Sequence, residues 1–211
     1  MSAIISTKKK MDVMSIAKIS MLGALSCLFM LFQFPLPFIA PPFYQIDFSE
    51  VVVLIGGFSL GPWAAVCIEG IKIILNFVMN GSTTMGVGEL ANFIMGCALA
   101  LPASIIYRKG KSKKSACIGM IYGTISMTIA GALLNYFVLI PAYAFFLSPA
   151  ITVEGIVAMG TAIHANIDTL WEVVLICVVP FNLIKGILVS IIVFLSYKKL
   201  SLLIKTNTKK A

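Results

Sequence analysis

The chain has 211 residues, 60% hydrophobic and 11% charged, with 16 Lys+Arg against 8 Asp+Glu for a formal charge of +8. Soluble domains carry about 25% charged residues, so a water-soluble enzyme is excluded. At about 20 apolar residues per span the length fits six or seven membrane helices, with no room for an added ATPase, kinase or DNA-binding domain.

The N-terminal stretch MSAIISTKKKMDVMS has charge but no apolar core followed by a small-residue cleavage site. The first apolar run is therefore expected to be a retained helix rather than a signal peptide. Apolar runs between polar or Pro/Gly punctuation predict six spans, at 13–33, 47–60, 62–80, 88–107, 115–146 and 171–197. The expected fold is an all-α integral membrane protein, one six-helix bundle forming a single membrane domain over 1–211. The second span is short: about 14 residues rise about 21 Å, against a hydrocarbon core of about 30 Å.

Between the first two spans lies FPLPFIAPPFYQ, with Pro35, Pro37, Pro41 and Pro42. Four prolines exclude a helix and predict a stiff extended loop. Non-helical backbone at membrane depth survives only where it is buried in protein or lines a cavity, so residues 34–46 read as a lid over a site. A plain surface connection is the alternative.

Lysines and arginines sort by side. Lys8, Lys9, Lys10 and Lys18 flank the first span, Arg108, Lys109, Lys111, Lys113 and Lys114 separate the fourth and fifth, and Lys198, Lys199, Lys205, Lys209 and Lys210 follow the sixth. The connections at 34–46, 81–87 and 147–170 have none. The positive-inside rule then makes both termini and the 108–114 loop cytoplasmic and the lid external. This distribution along membrane flanks, rather than a nucleic-acid partner, accounts for the positive charge. Within that loop Gly110-Lys111-Ser112 resembles the end of a phosphate-binding loop, but residue 105 is Ile where the motif needs Gly, and no strand precedes it.

Cys27, Cys67, Cys97, Cys117 and Cys177 are odd in number and never at C-x-x-C spacing, as expected of small buried hydrophobes. His164 has no second histidine near it, so no metal site is expected. No nucleophile sits beside a plausible base, and no catalytic residue is assigned.

Ionisable and amide side chains inside spans are costly and mark functional sites by default. They are Glu69, Lys72 and Asn76 on the third span, Glu89 and Asn92 on the fourth, Asn135 on the fifth, and Asn182 and Lys185 on the sixth. With the spans alternating in direction, Asn76, Glu89, Asn92, Asn135, Tyr136, Asn182 and Lys185 fall in the outer half beneath the lid, with Lys72 near the middle. Glu69 and Lys72 could instead form an internal ion pair, and Asn76 and Asn92 could simply bond neighbouring helices. Amides with a lysine and aromatics such as Phe43, Tyr44, Tyr136, Tyr143 and Trp171 suit a ligand with hydroxyls and a flat ring. These residues alone predict capture of a small polar-aromatic solute.

The stretches IDFSEVVVLIGGFSLGPWAA, GELANFIMG, ALLNYFVLIPAY and VPFNLIKGILVSIIVFLSYKKL resemble the riboflavin-specific S components of energy-coupling factor (ECF) transporters, over residues 11–200. The resemblance implies a six-helix vitamin-binding subunit of the bacterial plasma membrane. Such a subunit carries riboflavin as transported ligand, has no cofactor, and works with a transmembrane T subunit and two ABC ATPases. It further implies that Asn135, Asn182 and Lys185 contribute to the flavin site and that the first outer loop helps close it. Asp47 matches the acid of the family's DFS motif, in contact with ligand or as a helix cap. An autonomous secondary transporter or channel is the other reading, but no internal repeat with broken helices supports it.

On the first span Ala17, Ser20, Ala24 and Cys27, with Gly23 adjacent, make a face nearly free of bulk. Small residues let helices approach closely in lipid. S components carry an Ala-x-x-x-Ala patch there that meets the T subunit, and Ser20-x-x-x-Ala24 or Gly23-x-x-x-Cys27 is similar without matching both alanines. The alternative is that the face packs inside its own bundle.

Overall fold

The computed structural model describes residues 12–208, with side chains as far as Ser196. The lysines at 8–10 and 209–210, and the side chains of Lys198, Lys199 and Lys205, lie outside the described part. Helices α1 (Val13–Met30), α2 (Ser49–Leu60), α3 (Pro62–Asn80) and α4 (Val87–Gly110) follow in order. Helix α5 (Lys113–Leu134) continues through a π-helical turn, π1 (Asn135–Leu139), into α6 (Ile140–Phe146). After α7 (Val153–Ile163), the last rod runs α8 (Leu170–Glu172), π2 (Val173–Val178) and α9 (Val179–Thr208).

Among the described residues five helical rods are long and apolar enough to cross a membrane: Val13–Met30, Pro62–Asn80, Val87–Gly110, Lys113–Phe146 and Leu170–Ser196. Helix α2 is the odd one. Its 12 residues include a nearly continuous buried stretch, and it touches α1, α3, α4 and α9. Helix α2 is therefore a core element packed within the other rods, and Val53, Leu54 and Phe58 anchor the larger apolar cluster.

Close packing comes from small residues. A Cβ at Gly119 would sit 2.6 Å from the Ala103 carbonyl oxygen, and one at Gly123 would collide with that of Leu99, so α5 lies backbone to backbone on α4. In lipid, where apolar surfaces gain little by leaving solvent, such contact is what holds helices together.

The π turns have a visible cause. Proline has no N–H and its ring crowds the carbonyl four residues back; Pro141 and Pro180 each follow a π segment by two residues. Widening the preceding turn lets Ile140 N–H reach Asn135 O and Val179 N–H reach Val174 O, five residues back. Local π adjustment is a way membrane helices absorb a proline.

Three expectations are revised. The 34–46 segment is non-helical as expected, but its ends pair as a short antiparallel ladder, Phe34 opposite Ile46 and Pro35 opposite Gln45. The stretch 147–170 is more than a connection, because Thr152 caps α7, its side chain accepting from Gly155 N–H at 3.0 Å. The basic loop shrinks: Arg108 and Lys109 end α4, Lys113 and Lys114 begin α5, and Ser112 forms a capping box with Ser115. Cations in the last turn of α4 complement its dipole.

Candidate ligand-binding site

Two adjoining chambers lie between the 34–46 segment and the helices. The outer one, about 700 Å³, is bounded by the 80–84 connection, Asn76, Glu89 and Asp47. The inner one, about 160 Å³, is walled by Tyr44, Asn135, Asn182, Lys185, Glu50 and Phe181. Phe43, Gln45, Asn92 and Tyr143 belong to both. The outer volume alone falls in the roughly 300–1,000 Å³ range of small-molecule pockets.

Asn135, Asn182 and Tyr44 are held by the chain itself. Asn135 Nδ2 donates to Gly131 O at 2.8 Å, and Asn182 Nδ2 donates to Val178 O at 3.0 Å. Both amides thus bond the carbonyl four residues back, beside a π turn, which fixes their rotamers. Each keeps a second N–H and lone pairs for another partner. Tyr44 donates its hydroxyl to Asn135 Oδ1 at 2.5 Å, and its ring lies 5.6 Å from that of Phe181. Burial pushes the Tyr44 hydroxyl well above the usual phenol range, so it stays a donor. Phe43 and Tyr44 are 4.5 Å apart, and Tyr143 meets Phe43 edge-on at 6.4 Å, giving the cavity an aromatic wall.

Of the two roles open to Asp47, the structure shows the one at the start of the helix, together with an ion pair. Its Oδ1 accepts from Ser49 N–H at 2.8 Å and from the Ser49 hydroxyl, securing the start of α2. Its Oδ2 accepts from Lys185 Nζ at 2.9 Å, joining the loop end to α9. At the outer rim Glu89 Oε2 accepts from Ser82 at 3.0 Å and Thr84 at 3.1 Å, which shapes the α3–α4 connection.

Most of the expected polar residues therefore converge: Phe43, Tyr44, Asn92, Asn135, Asn182 and Lys185 on the inner chamber, Asn76, Glu89 and Asp47 on the outer. Two do not. Lys72 is fully buried, with Nζ 2.8 Å from Glu50 Oε1 and 2.6 Å from Glu69 Oε1, so it serves an internal ion cluster and does not line either chamber. Tyr136 lines neither chamber and packs edge-on against Trp171 at 5.5 Å. Glu50, Gln45 and Phe181 line the cavity without having been singled out. Glu50 in the first turn of a helix reads as a dipole partner, and only the tertiary approach of Lys72 gives it another role.

The small-residue face of α1 is split. Gly23 and Cys27 are buried, Gly23 close against Ile71, and so cannot meet an outside partner. Ala17, Ser20 and Ala24 are exposed. Among the described residues no group of three or more His, Cys, Asp or Glu could hold a metal ion.

The model of the family "ECF transporter, substrate-specific component" matches residues 14–197. The chain belongs to this family. The S component is 36% identical over 192 residues to a Bacillus subtilis (strain 168) protein named riboflavin transporter FmnP, covering 90% of this chain and 93% of that one. It is 35% identical over 190 residues to riboflavin transporter RibU of Staphylococcus aureus (strain TCH60), covering 89% and 90%. A solved structure described as the S component of a bacterial ECF transporter superposes with a TM-score of 0.69 at 35% identity, covering 91% of this chain and 98% of that one. The S component is thus a membrane protein of a transporter family, and its relatives are named for transport rather than catalysis.

Proposed function

We propose that this S component captures riboflavin from outside the cell and delivers it together with a T subunit and two ABC ATPases. What carries the reading is the pairing of fixed amides with an aromatic wall in one cavity: Asn135 and Asn182 beside Phe43, Tyr44 and Phe181. A flavin offers hydroxyls and an imide to the amides and a flat ring to the wall. That two relatives sharing about nine-tenths of the chain are named riboflavin transporters supports the same ligand.

In this reading six segments make up the bundle, the short α2 included, and the protein is multi-pass in the bacterial plasma membrane. Arg108, Lys109, Lys111, Lys113 and Lys114 gather at the end of α4 away from the cavity, and by the positive-inside rule this supports a cytoplasmic side for that junction and for both termini. The chain has a cavity but no ATP-binding element, so accumulation requires the energising subunits. The exposed Ala17, Ser20 and Ala24 of α1 are the proposed contact with the T subunit.

The test is binding followed by uptake. Purified protein should quench riboflavin fluorescence with one site per chain. Vesicles holding it alone should bind without concentrating the vitamin, and addition of the T subunit, both ATPases and ATP should start accumulation. Accumulation driven by an ion gradient in the chain alone would overturn the proposal.

A further inference from the structure

Glu50 is a buried acid only half used by the protein. Its side chain is 1% exposed; Oε1 takes the Lys72 ammonium at 2.8 Å, and no protein group hydrogen-bonds Oε2. Lys72 does not hydrogen-bond that oxygen. Its ammonium instead donates to Glu50 Oε1 at 2.8 Å and to the Ser49 hydroxyl oxygen at 3.3 Å, and is ion-paired with Glu69 Oε1 at 2.6 Å. Several nearby cavity groups are engaged elsewhere, Lys185 with Asp47, the Tyr44 hydroxyl with Asn135, and one N–H each of Asn135 and Asn182 with backbone carbonyls. A buried carboxylate oxygen without a partner is costly. Glu50 lines the inner chamber, and Oε2, which the protein leaves unpaired, is the carboxylate oxygen available to a ligand there.

Resting on the riboflavin reading above, we infer that Glu50 is a specificity-determining residue: its free carboxylate oxygen accepts a hydrogen bond from the flavin and demands a donor there. An ionised carboxylate only accepts. The flavin's carbonyl oxygens and unprotonated ring nitrogens would be repelled, while its imide N–H and ribityl hydroxyls qualify. Lys72 holds the acid in place from behind, and Glu69, packed against Gly96, backs the lysine without lining the chamber. The inner chamber therefore selects which edge of the ligand enters. Sites built to hydrogen-bond a ligand group reject analogues lacking it far more strongly than apolar pockets reject a methylene.

The test pairs a side-chain change with ligand changes. Wild type, Glu50→Gln and Glu69→Gln are titrated with riboflavin, N3-methylriboflavin and lumiflavin, which lacks the ribityl hydroxyls. Glutamine keeps the length and can still offer its carbonyl to Lys72, but replaces the free acceptor with a donor. Glu50→Gln is expected to weaken riboflavin at least tenfold, and to change by under about threefold the affinity of whichever analogue lacks the contacted donor. Glu69→Gln should leave the ranking of the three ligands unaltered. Equal loss for all three ligands in Glu50→Gln would show a structural role only, and no loss would show that the oxygen meets no ligand; either overturns the inference. Should Glu50→Gln not fold, Glu50→Asp, which keeps the charge but withdraws the oxygens, must show the same ligand-dependent loss, and a uniform effect overturns it. If wild type quenches none of the three flavins, the riboflavin reading fails and the inference with it.

Discussion

The Tyr44 hydroxyl donates to Asn135 Oδ1, tying the proline-rich segment to the π turn of the fourth rod. Ala40 and Ile46 of the same segment are fully buried in an apolar cluster with Ile140, Ile156 and Ile167, so that tie sits on a packed base. Tyr44→Phe removes the hydrogen bond and keeps the ring. One buried bond is worth about 1–2 kcal/mol, so flavin dissociation should quicken about 5- to 30-fold with the association rate little changed. Stopped-flow fluorescence measures both, and an unaltered dissociation rate would mean that the segment does not retain the ligand.

Asn182→Ala takes away an amide whose rotamer is set by its bond to Val178 O. Loss of a buried partner costs about 1–3 kcal/mol, so riboflavin affinity should fall about 5- to 150-fold. Fluorescence titration of Asn135→Ala, Asn182→Ala and Lys185→Ala decides the assignment, which does not survive if all three bind like wild type.

The Asp47–Lys185 pair makes a stability prediction. With side-chain exposures of 3% and 12% the two charges are nearly withdrawn from solvent. Removing one partner of a buried pair costs about 3–5 kcal/mol, because the other charge is stranded, whereas removing both costs far less. Lys185→Met should therefore lower the melting temperature in detergent strongly, and Asp47→Asn added to it should restore part of the loss. A double variant less stable than the single one contradicts the coupling.

Spacing and hydropathy in the chain reach the five long rods to within a few residues, and they mark α2 as too short to span. The depth of the polar residues also brings Asn76, Glu89, Asn92, Asn135, Asn182 and Lys185 to the two chambers, whereas Asp47 was expected only from the family resemblance. The failures have physical reasons. Helix α7 escapes because 11 apolar residues are too few for a span, and its Thr152 cap is a local signal inside a stretch read as connection. Lys72 and Glu69 at i, i+3 announce a pair, but the third member, Glu50, arrives from another helix. Tyr136 and Asn135 are adjacent, and adjacent helical residues point about 100° apart. A stripe of small residues on α1 tells how closely something can approach, not whether that something is Ile71 of the same chain or a separate subunit.

That last ambiguity becomes a prediction. Ala24 is exposed and Gly23 is closed off by Ile71. Ala24→Trp should leave riboflavin binding by the isolated protein intact but block co-purification with the T subunit and abolish uptake, while Gly23→Trp should fail to fold. Normal uptake by Ala24→Trp would place the subunit contact elsewhere.

Each π turn acts as a built-in insertion. One residue more than an α turn rotates everything beyond it by about 100° about the axis, so the two ends of the fourth rod are indexed in different angular frames. Asn135 is aimed by the frame of α5, whereas Tyr143, two residues past Pro141, is aimed by that of α6. A chain shortened by a single residue within 135–139 would keep its composition, hydropathy and helical content. Yet it would swing Tyr143 away from Phe43 and Gly88, and a residue count rather than any side chain would have dismantled the aromatic wall.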